Sequence, residues 1–158
     1  MKDIYFKDEN GIFSYRVAGI CVHNGKVLLQ KPFDDDGYAI PGGHVAFGET
    51  NAETLSREFA EEIGARITVG ELQWVAEIFF PWEGRMTHQI CLYYMVEIDE
   101  ETLPAGDSFV SKESGNIQFF WLPLSELDRY RIYPVTAVEL LGKLDDGQVV
   151  HFIDREES

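Results

Sequence analysis

Residues 41 to 65 constrain this chain more tightly than any other stretch. Pro41-Gly42-Gly43 opens it as a glycine loop, a run with helical periodicity follows Thr50, and Gly64 closes it. Leu55, Phe59 and Ile63 recur at four-residue steps, with Ala52 and Ser56 on the same side. That spacing predicts a helix over 51–63 with one core-facing stripe. Thr50 followed three residues later by Glu53 predicts a capping box, and Gly64 suits the position just past a helix end.

The same helix carries Arg57, Glu58, Glu61 and Glu62. At about 100° per residue, Glu62 falls about 40° to one side of Glu58 and Glu61 about 60° to the other. The three carboxylates are expected to share one face, pointing away from the apolar stripe. Like charges at these spacings repel and cost helix stability. A divalent cation would compensate them, and hard cations such as Mg²⁺ take oxygen ligands while keeping waters that a phosphate can replace. Gly42 and Gly43 would let the backbone approach an ion or phosphate with no Cβ in the way, and the Gly43 carbonyl could add an oxygen ligand. An isolated Glu-Glu pair would read as a solvated helix face. A glycine loop before it, an arginine beside it and a glycine stop after it do not belong to that reading.

The formal charge of -15 disfavours binding to a nucleic acid duplex, which depends on Lys and Arg displacing counterions. Cys21 and Cys91 lie in apolar stretches without C-x-x-C spacing, which predicts buried free thiols. No apolar run is long enough to span a bilayer, and Met1-Lys2-Asp3-Ile4-Tyr5 has no apolar signal core, so the expected compartment is the cytoplasm. The length predicts a single domain over 1–158.

Strands are expected over 13–22, 27–30, 67–69, 72–80, 87–98, 117–121 and 149–153. Asn24-Gly25 predicts a tight hairpin, Pro81-Trp82-Glu83-Gly84 a turn, and 99–115 a long loop. Asp34-Asp35-Asp36-Gly37 fails the calcium-loop register, because Ala39 and Val45 stand where Gly and Glu are needed, and reads as a solvated turn. A short helix is expected from Pro123, a final helix over 135–144 and a turn at Asp145-Asp146-Gly147. The fold class is α/β (α+β), a mixed sheet between helices.

Gly43, Glu49 and Arg57-Glu58-Phe59-Ala60-Glu61-Glu62-Ile63-Gly64-Ala65 resemble the Nudix box, G-x5-E-x7-R-E-U-x-E-E-x-G-U. Phe59 and Ala65 depart from the bulky aliphatic U positions, which concern packing. Tyr38-Ala39-Ile40-Pro41-Gly42-Gly43 is similar to the lead-in of many such proteins, and Phe120-Trp121-Leu122-Pro123-Leu124-Ser125-Glu126-Leu127 to their late strand-to-helix passage. The resemblance implies a Nudix fold and hydrolysis of a nucleoside diphosphate linked to another moiety, of the ADP-ribose, nucleotide-sugar or nucleoside-triphosphate type. It implies Mg²⁺ or Mn²⁺ as cofactor. Glu58 and Glu62 would be the main metal ligands and Glu61 a further one, with the Gly43 carbonyl as an additional oxygen; one of these glutamates would also activate the water, Glu49 would support the metal shell directly or through water, and Arg57 would orient the glutamates. An additional catalytic carboxylate would come from Glu113 in the loop 111–115.

Substrate choice lies outside the box. Pro81 stands where ADP-ribose-cleaving members often carry proline, and Trp82 could stack on a base. Two rival readings share the fold. One is a catalytically silent, ligand-binding regulatory domain, which would be expected to lose box glutamates; this chain keeps them. The other is a prenyl diphosphate isomerase, for which Cys21 and Cys91 have no suitable setting. The expected partner is a small nucleotide derivative. A homodimer could form by strand pairing within 72–98.

Overall fold

The computed structural model describes residues 2–144 and 147–156. Among the described residues, twelve strands and two α-helices succeed one another as β1 (Tyr5–Lys7), β2 (Ile12–Ile20), β3 (Val22–His23), β4 (Lys26–Pro32), β5 (Gly37–Ala39), β6 (Gly42–His44), α1 (Asn51–Ile63), β7 (Ile67–Trp82), β8 (Arg85–Ile98), β9 (Ser108–Val110), β10 (Ile117–Pro123), β11 (Arg131–Tyr133), α2 (Thr136–Leu141) and β12 (Val150–Arg155). One sheet runs β1-β2-β8-β7-β12, with β6 also on β2. The other runs β11-β5-β4-β10-β9, with β3 also on β4. Both are mixed: β2 with β8, β7 with β12 and β5 with β11 are parallel.

The apolar runs in β2 and β4 are buried on both faces, which is why they lack alternation. Val17 and Leu28 pack with Leu55, Phe59 and Ile63 of α1. Ala18, Ile20, Val27 and Leu29 turn the other way, to a core shared with Ala137 and Leu140 of α2. The helices therefore cover opposite faces of the strand layer, as expected. Gly19 lets α1 settle, since a Cβ there would stand 3.0 Å from the Phe59 ring.

Asn24 and Gly25 both have positive φ, giving the expected hairpin between β3 and β4. The β7–β8 hairpin uses the same chemistry at Glu83 and Gly84. Pro81 and Trp82 thus belong to β7 rather than to the turn. The two runs expected over 67–80 are one strand, interrupted only by register shifts around Leu72. Over Trp74–Phe79, β7 is paired on both edges, by β8 and by β12. That leaves no edge there for a partner subunit. The expected long loop over 99–115 contains a 3-10 turn at Glu100–Thr102 and strand β9. The final helix is shorter than expected. Asp145 and Asp146, of the turn expected at 145–147, lie outside the described residues. Among the described residues, no helix is long and apolar enough to cross a membrane.

Candidate active site

Helix α1 begins and ends as its sequence dictates. The Thr50 hydroxyl accepts from the Glu53 amide at 3.1 Å, and the Glu53 carboxylate accepts from the Thr50 amide at 2.8 Å. At the other end Gly64 has φ 68°, and its N–H donates to the Ala60 carbonyl. Asn51, the first helical residue, is tied to the sheet below. The Tyr15 hydroxyl donates to Asn51 Oδ1, and Asn51 Nδ2 donates to the Tyr94 hydroxyl at 2.7 Å. Tyr94 thus anchors the helix rather than lining the cavity described below.

The burial pattern corrects the helical-wheel reading. Thr54, Leu55, Phe59 and Ile63 are buried, whereas Ala52 and Ser56 are exposed. On the wheel, Glu58 and Glu62 fall inside the arc between Thr54 and Leu55, about 20° to 60° from Leu55. They therefore border the core-facing stripe instead of opposing it, and both are half-buried. Glu61 lies farther round and is exposed.

The expected glycine loop is in fact strand β6, antiparallel to β2, with Gly42 opposite Ala18 and Gly43 opposite Val17. Each glycine has a separate steric reason. A Cβ on Gly42 would stand 2.0 Å from the Val17 carbonyl oxygen, so Gly42 packs against backbone. A Cβ on Gly43 would stand 2.4 Å from Glu58 Cδ, so Gly43 makes room for the Glu58 carboxylate.

Arg57 is the cation of the cluster. Its Nε donates to Glu49 Oε2 and its Nη2 to Glu49 Oε1, both at 2.9 Å. Its Nη1 reaches Glu58 Oε1 at 3.2 Å and Glu61 Oε2 at 3.4 Å. Glu49 also accepts from the Thr54 hydroxyl at 2.9 Å. These bonds, the arginine ones foremost, hold the Glu49 carboxyl down at about 2. Glu58 and Glu62 move the opposite way. Burial first raises Glu58, against the pull of Arg57. Burial, then the charges of Glu58 and Glu113, push Glu62 up to about 7.

Glu113 is exposed on the β9–β10 loop. Buried Ser111 shapes that loop, its hydroxyl accepting from the Glu113 and Ser114 amides at 3.2 Å. The Lys112 amide donates to the Glu62 carbonyl, at the C-terminal end of α1, at 2.6 Å. The structure thus brings Glu113 to the Glu58–Glu62 face from a distant part of the chain.

Among the described residues, no three His, Cys, Asp or Glu side chains already converge at metal-ligand spacing. Glu49, Glu58 and Glu61 are instead drawn to Arg57. The donor set still fits a hard divalent cation. It is all oxygen, and one arginine is shared among three carboxylates. Glu62, without an ion pair among the described residues, is left energetically poor as an anion.

A cavity of about 430 Å³ lies between the two sheets, and none of Gly43, Glu49, Glu58, Glu61, Glu62 or Glu113 is among its wall residues. Its walls include Phe80, Pro81 and Trp82 from the end of β7, and Tyr133 from β11. Trp82 is 56% exposed and Tyr133 45%, so their rings stand at an open surface. Arg16, Asp35, Asp154 and Glu156 also line the cavity. Sequence reasoning singled out none of these four as site residues, because β11 and β12 bring them together only through the sheet pairing. His88 faces elsewhere, against Phe79 and Phe13.

The NUDIX domain profile matches residues 14–140. A Mycobacterium tuberculosis protein named MutT4 is 31% identical over 70% of this chain and 45% of its own length. An ADP-ribose pyrophosphatase of Methanocaldococcus jannaschii is 32% identical over 73% of this chain and 68% of its own length. This chain thus spans less than half of the first relative. In structure, the MutT protein of Bacillus halodurans superposes with a TM-score of 0.64 at 20% identity, over 89% of this chain and 90% of that one. A NUDIX hydrolase of Nitrosomonas europaea gives 0.62 at 20% identity, over 95% and 82%. With the matched region covering most of the sequence and both carboxylate helix and strand order in place, the chain belongs to the NUDIX domain family.

Proposed function

We propose that this protein is a metal-dependent pyrophosphohydrolase acting on a nucleoside diphosphate linked to another moiety. The observation that carries this reading is the pairing of half-buried Glu58 and Glu62 on one side of α1, with Gly43 making room for the Glu58 carboxylate. In this assignment Glu58, Glu62 and the Gly43 carbonyl hold Mg²⁺ or Mn²⁺, with Glu61 and Glu49 as further oxygens. A hard cation, when bound there, offsets negative charge developing on phosphate oxygens.

The rest of the work falls to the chain. Arg57 and Thr54 fix Glu49, and Arg57 steers Glu58 and Glu61 through charge-assisted bonds. Glu113 takes the proton from the attacking water at its carboxylate. The new bond is water oxygen to phosphorus, the P–O–P bridge opens, and two phosphate monoesters leave. The aromatic rim of Trp82 and Tyr133 receives the nucleoside. The names of the relatives, ADP-ribose pyrophosphatase among them, support this substrate class.

The reading is tested by incubating the protein with Mg²⁺ and a panel of ADP-ribose, nucleotide sugars and nucleoside triphosphates. Phosphate-monoester release is followed by ³¹P NMR. Turnover of at least one compound, lost on chelation, is expected. Tight binding without cleavage of any compound would favour a regulatory domain instead.

A further inference from the structure

The cavity has a charge pattern that the carboxylate helix does not explain. Among the described residues Arg16 is its only cationic wall residue, set against Asp35, Asp154 and Glu156. Alternation along β2 sends Val17 to the α1 core, while Ala18 and Arg16 face the cavity. Arg16 also pairs with His44, one residue from the Gly43 that accommodates Glu58. It therefore stands on the strand that joins the cavity to the carboxylate helix.

Its own bonding is incomplete. The ion pairs of Lys and Arg among the described residues engage Lys7, Lys26, Arg57, Arg66, Lys143 and Arg129, and Arg16 is in none. A half-buried guanidinium without a carboxylate, in a chain with a formal charge of -15, gives up hydration with no visible return. Its planar fork matches the non-bridging oxygens of a phosphate, two at a time.

We propose that Arg16 is the phosphate-seating residue of this cavity, holding the substrate's non-bridging phosphate oxygens. This rests on the hydrolase reading above. The remaining charged wall residues are all acidic, so the cavity without Arg16 would repel an anion. The three acids suit a part of the ligand that is uncharged or donates hydrogen bonds.

The test uses imidodiphosphate, an uncleavable analogue of the anhydride without a base, titrated calorimetrically with Mg²⁺ into wild type, R16M and R16K. R16M keeps an apolar stem for packing, and each variant is first checked for a native thermal transition. The expectation is binding by wild type, about tenfold or greater weakening in R16M, and partial recovery in R16K. Equal affinity in wild type and R16M, or no binding by wild type, would overturn the proposal. The two readings fail separately. If wild type cleaves a panel compound and R16M cleaves it with unchanged KM, the Arg16 assignment is lost and the hydrolase stands. If wild type cleaves nothing yet imidodiphosphate binding needs Arg16, the anion site stands and the hydrolase reading is lost.

Discussion

Arg57 holds Glu49 with two N–H···O bonds of 2.9 Å across the start of the carboxylate helix. Both side chains are largely covered, at 24% and 13% exposure. The pair joins the β6–α1 connection to the middle of α1 and orients the glutamates between them. Removing one partner strands the other charge in a partly dry site. Arg57→Ala is expected to cost about 2–4 kcal/mol of unfolding free energy in urea. Arg57→Lys should recover only part, since a point charge cannot make the fork. Stability within about 0.5 kcal/mol of wild type for the alanine variant would contradict this role.

Glu62 and Glu49 act on stability with opposite signs. Glu62 titrates near 7 when folded, above its ordinary 4.5. Between those values the folded protein keeps a proton that the unfolded chain releases, so stability falls as pH rises through the window. Glu49, held near 2, stabilises above 4.5 and loses that contribution as pH falls toward 2. From pH 5 to 8 the Glu62 effect dominates. The metal-free protein should therefore melt at lower temperature at pH 8 than at pH 5, and Mg²⁺ should reverse the loss. Glu62→Gln should flatten the pH dependence and abolish the response to Mg²⁺. Identical melting profiles for wild type and variant would rule this out.

Neighbouring glycines should fail in different ways. Alanine at position 42 drives Cβ into the β2 backbone, which cannot move without breaking the ladder. G42A is expected to lose several degrees or more of thermal midpoint. Alanine at position 43 meets the Glu58 side chain, which can swing aside. G43A should stay folded and lose about a hundredfold in turnover through displacement of that carboxylate. The reverse ordering of the two variants would show that Gly43 is a packing residue only.

The helix start is tied down by Asn51, between Tyr15 and Tyr94. Tyr94→Phe leaves the ring and deletes one bond, and should cost about 1 kcal/mol. A double-mutant cycle with Asn51→Ala should show coupling of similar size. Additive effects would mean that the bond contributes nothing measurable.

Much of this arrangement could be read from residue order. The capping box, the Gly64 stop and the Asn24-Gly25 hairpin are local, and each formed where its residues demanded. The facing of Glu58 and Glu62 was not legible, because a wheel ranks directions around one helix and says nothing of what flanks it. Strand β6 closes on the side between Thr54 and Leu55, and Gly43 makes that approach sterically possible. Short strands such as β5, β6 and β11 carry too few residues for alternation to show. Arg16, Asp154 and Glu156 are scattered along the chain, and only parallel pairing of β12 with β7 gathers the last two with the first. Glu113 was named from its loop, but its approach to Glu62 depends on the Lys112 amide bond to the end of α1.

Hydrolysis is expected to depend on a cation held by Glu62. The direct measurement is turnover of the best panel substrate by Glu62→Gln at saturating Mg²⁺, with Mn²⁺ binding to the same variant followed by electron paramagnetic resonance. A native fold, turnover lower by about three orders of magnitude or more, and weakened Mn²⁺ binding are expected. Near-normal turnover with undiminished Mn²⁺ affinity in a folded variant would contradict it.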